Sequence, residues 1–91
     1  MKEKILRSYR QDPERFLFKI GILKLKMNGY QASCRCPLHS DQNPSFSINL
    51  ESGQWKCHAG CGSGDIFTLY KNINSFSGSF YELLKEMTSL C

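Results

Sequence analysis

The sequence contains no apolar run near the ~18 residues of a membrane span. Its opening stretch, MKEKILRSYRQD, is charged and has no apolar segment of the secretory kind. These absences argue against an embedded or exported protein. The expected compartment is the cytoplasm, where thiols stay reduced and disulfides are rare. Paired carboxylates are also missing: the eight acids (Glu3, Asp12, Glu14, Asp41, Glu51, Asp65, Glu82 and Glu86) are scattered, with no Asp-x-Asp pair. Nucleotidyl transfer through divalent ions needs such a cluster, so no catalytic site of that kind is expected in this chain. Internal repeats and low-complexity segments are absent too. At 91 residues the chain has room for one domain, whose apolar core alone supports only about 3–5 kcal/mol without a staple. Cysteine, by contrast, is plentiful. Five cysteines leave one over in any fully paired disulfide scheme, which favours a metal over a disulfide framework.

Charge is distributed unevenly. Residues 1–26 carry eight bases against three acids, and residues 27–91 carry four bases against five acids. All five cysteines and both histidines fall in the second segment. One end is therefore suited to an anionic partner and the other to a metal ion.

Residues 1–11 read as a basic N-terminal helical extension, with Ile5, Leu6 and Tyr9 on one side, and residues 12–91 as the domain proper. A second helix is expected over 13–20: Asp12 is its N-cap, Pro13 suits its first turn and Gly21 its C-terminal stop. Leu23, Leu25 and Met27 then alternate with Lys24 and Lys26, which is strand patterning. Asn28-Gly29 signals a hairpin turn with both residues at positive φ, and Tyr30 to Arg35 form the return strand. A second hairpin is expected from Phe46, Ile48 and Leu50, through Ser52-Gly53, into Trp55-Lys56-Cys57. After a glycine-rich stretch, Asp65 caps a helix bearing Ile66, Leu69 and Tyr70. Ser79 and Glu82 form a capping box for a last helix that turns Phe80, Leu83, Leu84 and Met87 towards the core. The expected fold class is α+β: a small zinc-ribbon-like domain, an antiparallel β-sheet of two hairpins with short flanking helices.

Cys36-x-x-His39 and Cys57-x-x-x-Cys61 stand at the ends of the two hairpins. Structural zinc takes four such ligands in a tetrahedron, and pairs on tight turns converge without strain. Four protein ligands fill the shell, so the metal is structural and leaves no position for an activated water. Cys34 makes a poorer chelate with Cys36 and reads as a flanking residue, and Cys91 reads as a free thiol. His58 competes with Cys57, because His58-x-x-Cys61 has the commoner spacing; thiolate affinity favours Cys57.

With these residues in place, the sequence resembles the N-terminal zinc-binding domain of bacterial and phage DNA primases, the Cys-His-Cys-Cys type. The likeness is carried by Cys36-Pro37-Leu38-His39, Asn43-Pro44-Ser45-Phe46, Trp55-Lys56-Cys57, Cys61-Gly62 and Gly64-Asp65-Ile66-Phe67. It runs from about residue 12 to 88 and departs from the family at one point, the extra residue between Cys57 and Cys61. The resemblance implies one structural zinc ion and a module that engages the single-stranded DNA template as an RNA primer is started. It also implies a primase catalytic domain, and a replicative helicase, as protein partners.

Strand alternation suggests how such a module holds DNA. Lys24, Lys26, Arg35 and Lys56 can share one face as a basic stripe that tracks phosphates, with Tyr30 and Trp55 as aromatic candidates for stacking on bases. A rival reading makes the chain a zinc ribbon that docks a replication or transcription protein through the last helix and binds no nucleic acid.

Overall fold

The computed structural model describes residues 1–22, 24–38 and 45–91. Two expected features, His39 and the Asn43-Pro44 pair, lie outside the described residues, as does Leu23. The described elements run α1 (Lys2–Gln11), α2 (Pro13–Ile20), β1 (Lys26–Asn28), β2 (Gln31–Cys34), β3 (Phe46–Asn49), β4 (Trp55–Cys57), β5 (Gly62–Gly64), α3 (Ile66–Ile73) and α4 (Phe80–Thr88).

Local chemistry sets the helix ends. The Asp12 side chain accepts a hydrogen bond from the Arg15 amide at the start of α2, with Pro13 in the first turn. Gly21 ends the helix with φ 119°, a conformation that a side chain would strain. Asp65 caps α3 through the Thr68 amide. At α4 the capping box forms in both directions between Ser79 and Glu82. The basic N-terminal helix packs Ile5 and Tyr9 into the same buried cluster as the rest of the core. Tyr9 also donates from its hydroxyl to the Leu50 carbonyl at 2.9 Å, tying α1 to the β3–β4 turn.

The five strands form one antiparallel sheet in sequential order. The two expected hairpins, β1–β2 and β3–β4, are joined by pairing of β2 with β3 and extended by β5. The β1–β2 turn shifts by one residue from the sequence reading. Asn28 pairs with Gln31, so the loop residues are Gly29 and Tyr30, and only Gly29 has positive φ, at 65°. That is the pattern of a type II′ turn, which needs glycine only at its first central position.

Alternation divides the sheet into two faces. Ala32, Phe46, Ile48, Trp55 and Cys57 point inward and are buried, and the helices cover them with Leu17, Ile66, Leu69, Leu83 and Met87. Phe46 and Trp55 stack at 5.6 Å between ring centroids. Within α4 the expected stripe is only partly inward: Leu83 and Met87 are buried, whereas Phe80 is 53% exposed and meets Phe67 edge-on. No helix among the described residues is long and apolar enough to cross a membrane.

Candidate metal centre

Register carries three cysteines to one end of the sheet. Cys57 closes β4 opposite Phe46 and Gly62, Cys36 follows β2 by two residues, and Cys61 sits on the turn between β4 and β5. The Sγ atoms of Cys36, Cys57 and Cys61 all lie within 4.8 Å of one another. A tetrahedral zinc with Zn–S bonds of about 2.3 Å holds its sulfurs about 3.8 Å apart. Three soft donors are thus already gathered to within a small adjustment of that geometry, and the donor set fits zinc.

The electrostatics of the cluster agree with metal binding. Burial acts to raise the Cys57 thiol, but main-chain hydrogen bonds from Cys61 and Ala59 and the nearby thiols of Cys36 and Cys61 outweigh it, bringing it down to about 6. Cys36 is pushed up to about 12, first by burial, with the Leu38 main chain acting in the opposite sense and the Cys57 and Cys61 thiols adding to the rise. Without a cation, thiols sharing one small volume cannot all ionise; a bound dication reverses that balance. Ser45 Oγ lies 3.8 Å from Cys57 Sγ and braces it.

The other candidates stand apart from this cluster. Cys34 is half-buried, its thiol pushed up to about 11 by burial. Cys91 is exposed and its thiol reaches the Lys4 carbonyl at 3.8 Å. His58, one residue beyond Cys57, is exposed, and its Nε2 lies 3.2 Å from Ser47 Oγ. Consecutive residues have opposite phase, so the Cys57 thiol goes to the sulfur cluster and the His58 ring to the outer face.

On that outer face, Lys26, Ser33, Ser47, Lys56 and Ser63 are successive cross-strand partners in a single row. Strands lie about 4.8 Å apart, so Lys26 and Lys56, three strands apart, are separated by roughly 14 Å at the backbone. Lys24 and Arg35 are exposed just before β1 and just after β2, in phase with the row. Tyr30 is 70% exposed but stands in the turn at the opposite end of the sheet from the cysteines. Trp55 departs from its expected place. It is 3% exposed, stacked on Phe46, and donates from Nε1 to the Asp65 carbonyl at 2.8 Å, so its ring cannot stack on a base. Of the serines in this row, Ser47 has its face marked in the sequence by alternation with Phe46 and Ile48, whereas Ser63 stands between two glycines with no such mark.

Residues 19–90 match the CHC2 zinc finger family. The chain belongs to that family. This CHC2 zinc finger is 38% identical over 66 residues to the DNA primase of Clostridium acetobutylicum, covering 71% of this chain and 11% of that protein. It is 40% identical over 53 residues to the DNA primase of Lactococcus lactis, covering 57% of this chain and 8% of that one. The crystal structure of the Aquifex aeolicus primase, comprising its zinc-binding and RNA polymerase domains, superposes with a TM-score of 0.64 at 23% identity. That match covers 93% of this chain and 21% of the other, and establishes the shared fold. The chain thus spans about a tenth of the length of the curated primases it matches. The family carries a structural zinc, and Cys36, Cys57 and Cys61 form a cluster that can hold such an ion.

Proposed function

We propose that this zinc finger is the template-engaging module of a DNA primase. In this reading it holds single-stranded DNA on the outer face of its sheet and assists the start of RNA primer synthesis by a catalytic domain. His39 completes the zinc shell as fourth ligand. The observation that carries the reading is the cross-strand row Lys26–Ser33–Ser47–Lys56–Ser63, extended by Lys24 and Arg35. Ammonium and guanidinium groups neutralise phosphates, while the serine hydroxyls and the His58 ring add hydrogen-bonding or stacking capacity. Zinc contributes indirectly. By holding Cys57 and Cys61 it fixes the residues between them, and so the position of His58 beside Ser47. Tyr30 is the remaining aromatic candidate, at the far end of the strand path.

The test is the salt dependence of binding to a single-stranded oligonucleotide. On single strands, log affinity falls with log salt with a slope of about −0.7 per phosphate neutralised. Charge reversal at Lys26 and at Lys56 should each weaken binding and flatten the slope by about that amount. Unchanged affinity and slope in both variants would reject the proposed face.

A further inference from the structure

The sheet has one edge with a recognisable chemistry. All three residues of β1 are exposed, and its outer side faces no other strand among the described residues. In a two-residue hairpin the closing pair, here Asn28 with Gln31, exchanges both hydrogen bonds. The main-chain N–H and C=O of Met27 therefore point away from β2, and they have no hydrogen-bond partner among the described residues. Inward of this edge, Phe18, Ile22 and Leu25 line an open cleft of about 410 Å³ between α2 and the start of β1, with Asp12, Glu14 and Arg15 at its rim. Phe18 is 59% exposed and Met27 46%, so among the described residues the apolar inner face continues uncovered past the last strand. Outward of the edge stand Lys24 and Lys26, both exposed.

We propose that β1 accepts a sixth strand: an extended segment of a partner protein in which acidic and apolar residues alternate. Its main chain pairs with Met27, its apolar side chains enter the cleft over Phe18 and Leu25, and its carboxylates face Lys24 and Lys26. Edge addition of this kind draws affinity from the main chain and specificity from alternate side chains. The charge pattern selects the occupant. A second copy pairing edge to edge would set Lys24 and Lys26 against their own equivalents, and like charges on facing strands are destabilising. Lysines on an edge deter self-association while remaining complementary to an acidic strand. The inference does not rest on template binding.

The probe is a blocked peptide, acetyl-Val-Glu-Ile-Glu-Val-Glu-amide, added to the isotope-labelled, zinc-loaded chain, with the same peptide carrying Lys for Glu as control. Saturable binding is expected, with amide shifts at residues 24–28 and around Phe18, and with hydrogen exchange at the Met27 amide slowed at least about tenfold at saturation. Met27→Pro removes the outward N–H and keeps the bonds to β2, a placement that edge strands tolerate. It should weaken peptide binding at least about tenfold, as should the Lys peptide, each a loss of about 1.4 kcal/mol. Should Met27→Pro fail to fold, Phe18→Ser, at an exposed helix position, should still weaken binding several-fold with the rest of the amide spectrum unchanged. Peptide binding unaffected by both substitutions, an unprotected Met27 amide, no saturation by ~1 mM peptide, or concentration-dependent dimerisation in place of peptide binding would each overturn the proposal.

Discussion

Trp55 Nε1 donates to the Asp65 carbonyl at 2.8 Å, joining the fourth strand to the residue that caps α3. The indole thus serves two structural ends: its face stacks on Phe46 inside the sheet, and its one polar atom is satisfied at the sheet–helix junction. Trp55→Phe keeps an aromatic ring but removes volume and one of the two hydrogen bonds that the Asp65 carbonyl accepts, the Leu69 amide remaining, so a loss of about 1–3 kcal/mol is expected. Chemical denaturation measures it. Oligonucleotide affinity of the folded variant should stay at the wild-type value, because the ring is not on the proposed binding face.

Metal ligation gives a prediction that separates the two histidines. After dialysis against a chelator of moderate strength, the wild type and His58→Ala should each retain one zinc per chain by elemental analysis. His39→Ala, Cys36→Ser, Cys57→Ser and Cys61→Ser should retain much less. Folding and zinc binding are coupled in small modules, with apparent metal contributions of about 10–16 kcal/mol in peptides. Full removal of zinc by a strong chelator should therefore abolish the cooperative thermal transition. A melting curve unmoved by chelation would contradict a structural metal.

Tyr9 supplies a pH dependence with a definite sign. Burial pushes its hydroxyl up to about 12 from an ordinary value of 10.0, and the hydroxyl donates to the Leu50 carbonyl. The folded state favours the neutral phenol, so this contribution to stability is fully present below pH 10 and is lost as pH rises towards 12. Tyr9→Phe should lower stability by about 1 kcal/mol at neutral pH. The variant should also lack the part of the alkaline decline that Tyr9 causes, so the two stability curves should converge above pH 10. Parallel curves across that range would contradict the assignment.

The capping box of α4 can be tested by substitution. Ser79→Ala removes the acceptor for the Glu82 amide and the partner of the Glu82 carboxylate. A loss of about 1 kcal/mol is expected, read from denaturant midpoints at unchanged m-value, with zinc content unaffected because the capping box involves none of Cys36, Cys57 and Cys61.

Much of this architecture is legible in the residues, because the signals that carry it are local. Asp12-Pro13 and Gly21 bracket α2, Ser79 and Glu82 start α4, and alternation assigns Lys26 and Lys56 to one face. What is not legible has physical reasons. β5 is Gly-Ser-Gly, with no side-chain pattern to mark a strand; its pairing with β4 comes from the turn that the cysteines close. The hairpin loop lies one residue later than Asn28-Gly29 suggests, because type II′ geometry needs only one glycine and the register is fixed by burying Ala32 against Ile48. Trp55 as a base-stacking residue was an error that alternation could have prevented. Trp55 shares the phase of Cys57, opposite to Lys56, so it belongs to the inner face whenever Lys56 belongs to the outer one. Competition between His58 and Cys57 at the metal was open from spacing alone; strand phase separates them.

The chain has two exposed basic surfaces: the sheet row through Lys26 and Lys56, and α1 with Lys2, Lys4, Arg7 and Arg10. The most direct test of template binding on the sheet is therefore an amide-shift titration of the zinc-loaded chain with a short single-stranded oligonucleotide. Shifts should concentrate at Lys26, Ser33, Ser47, Lys56, His58 and Ser63, with α1 little changed. Shifts confined to α1, or none at low salt, would mean that the sheet face is not where this zinc finger holds DNA.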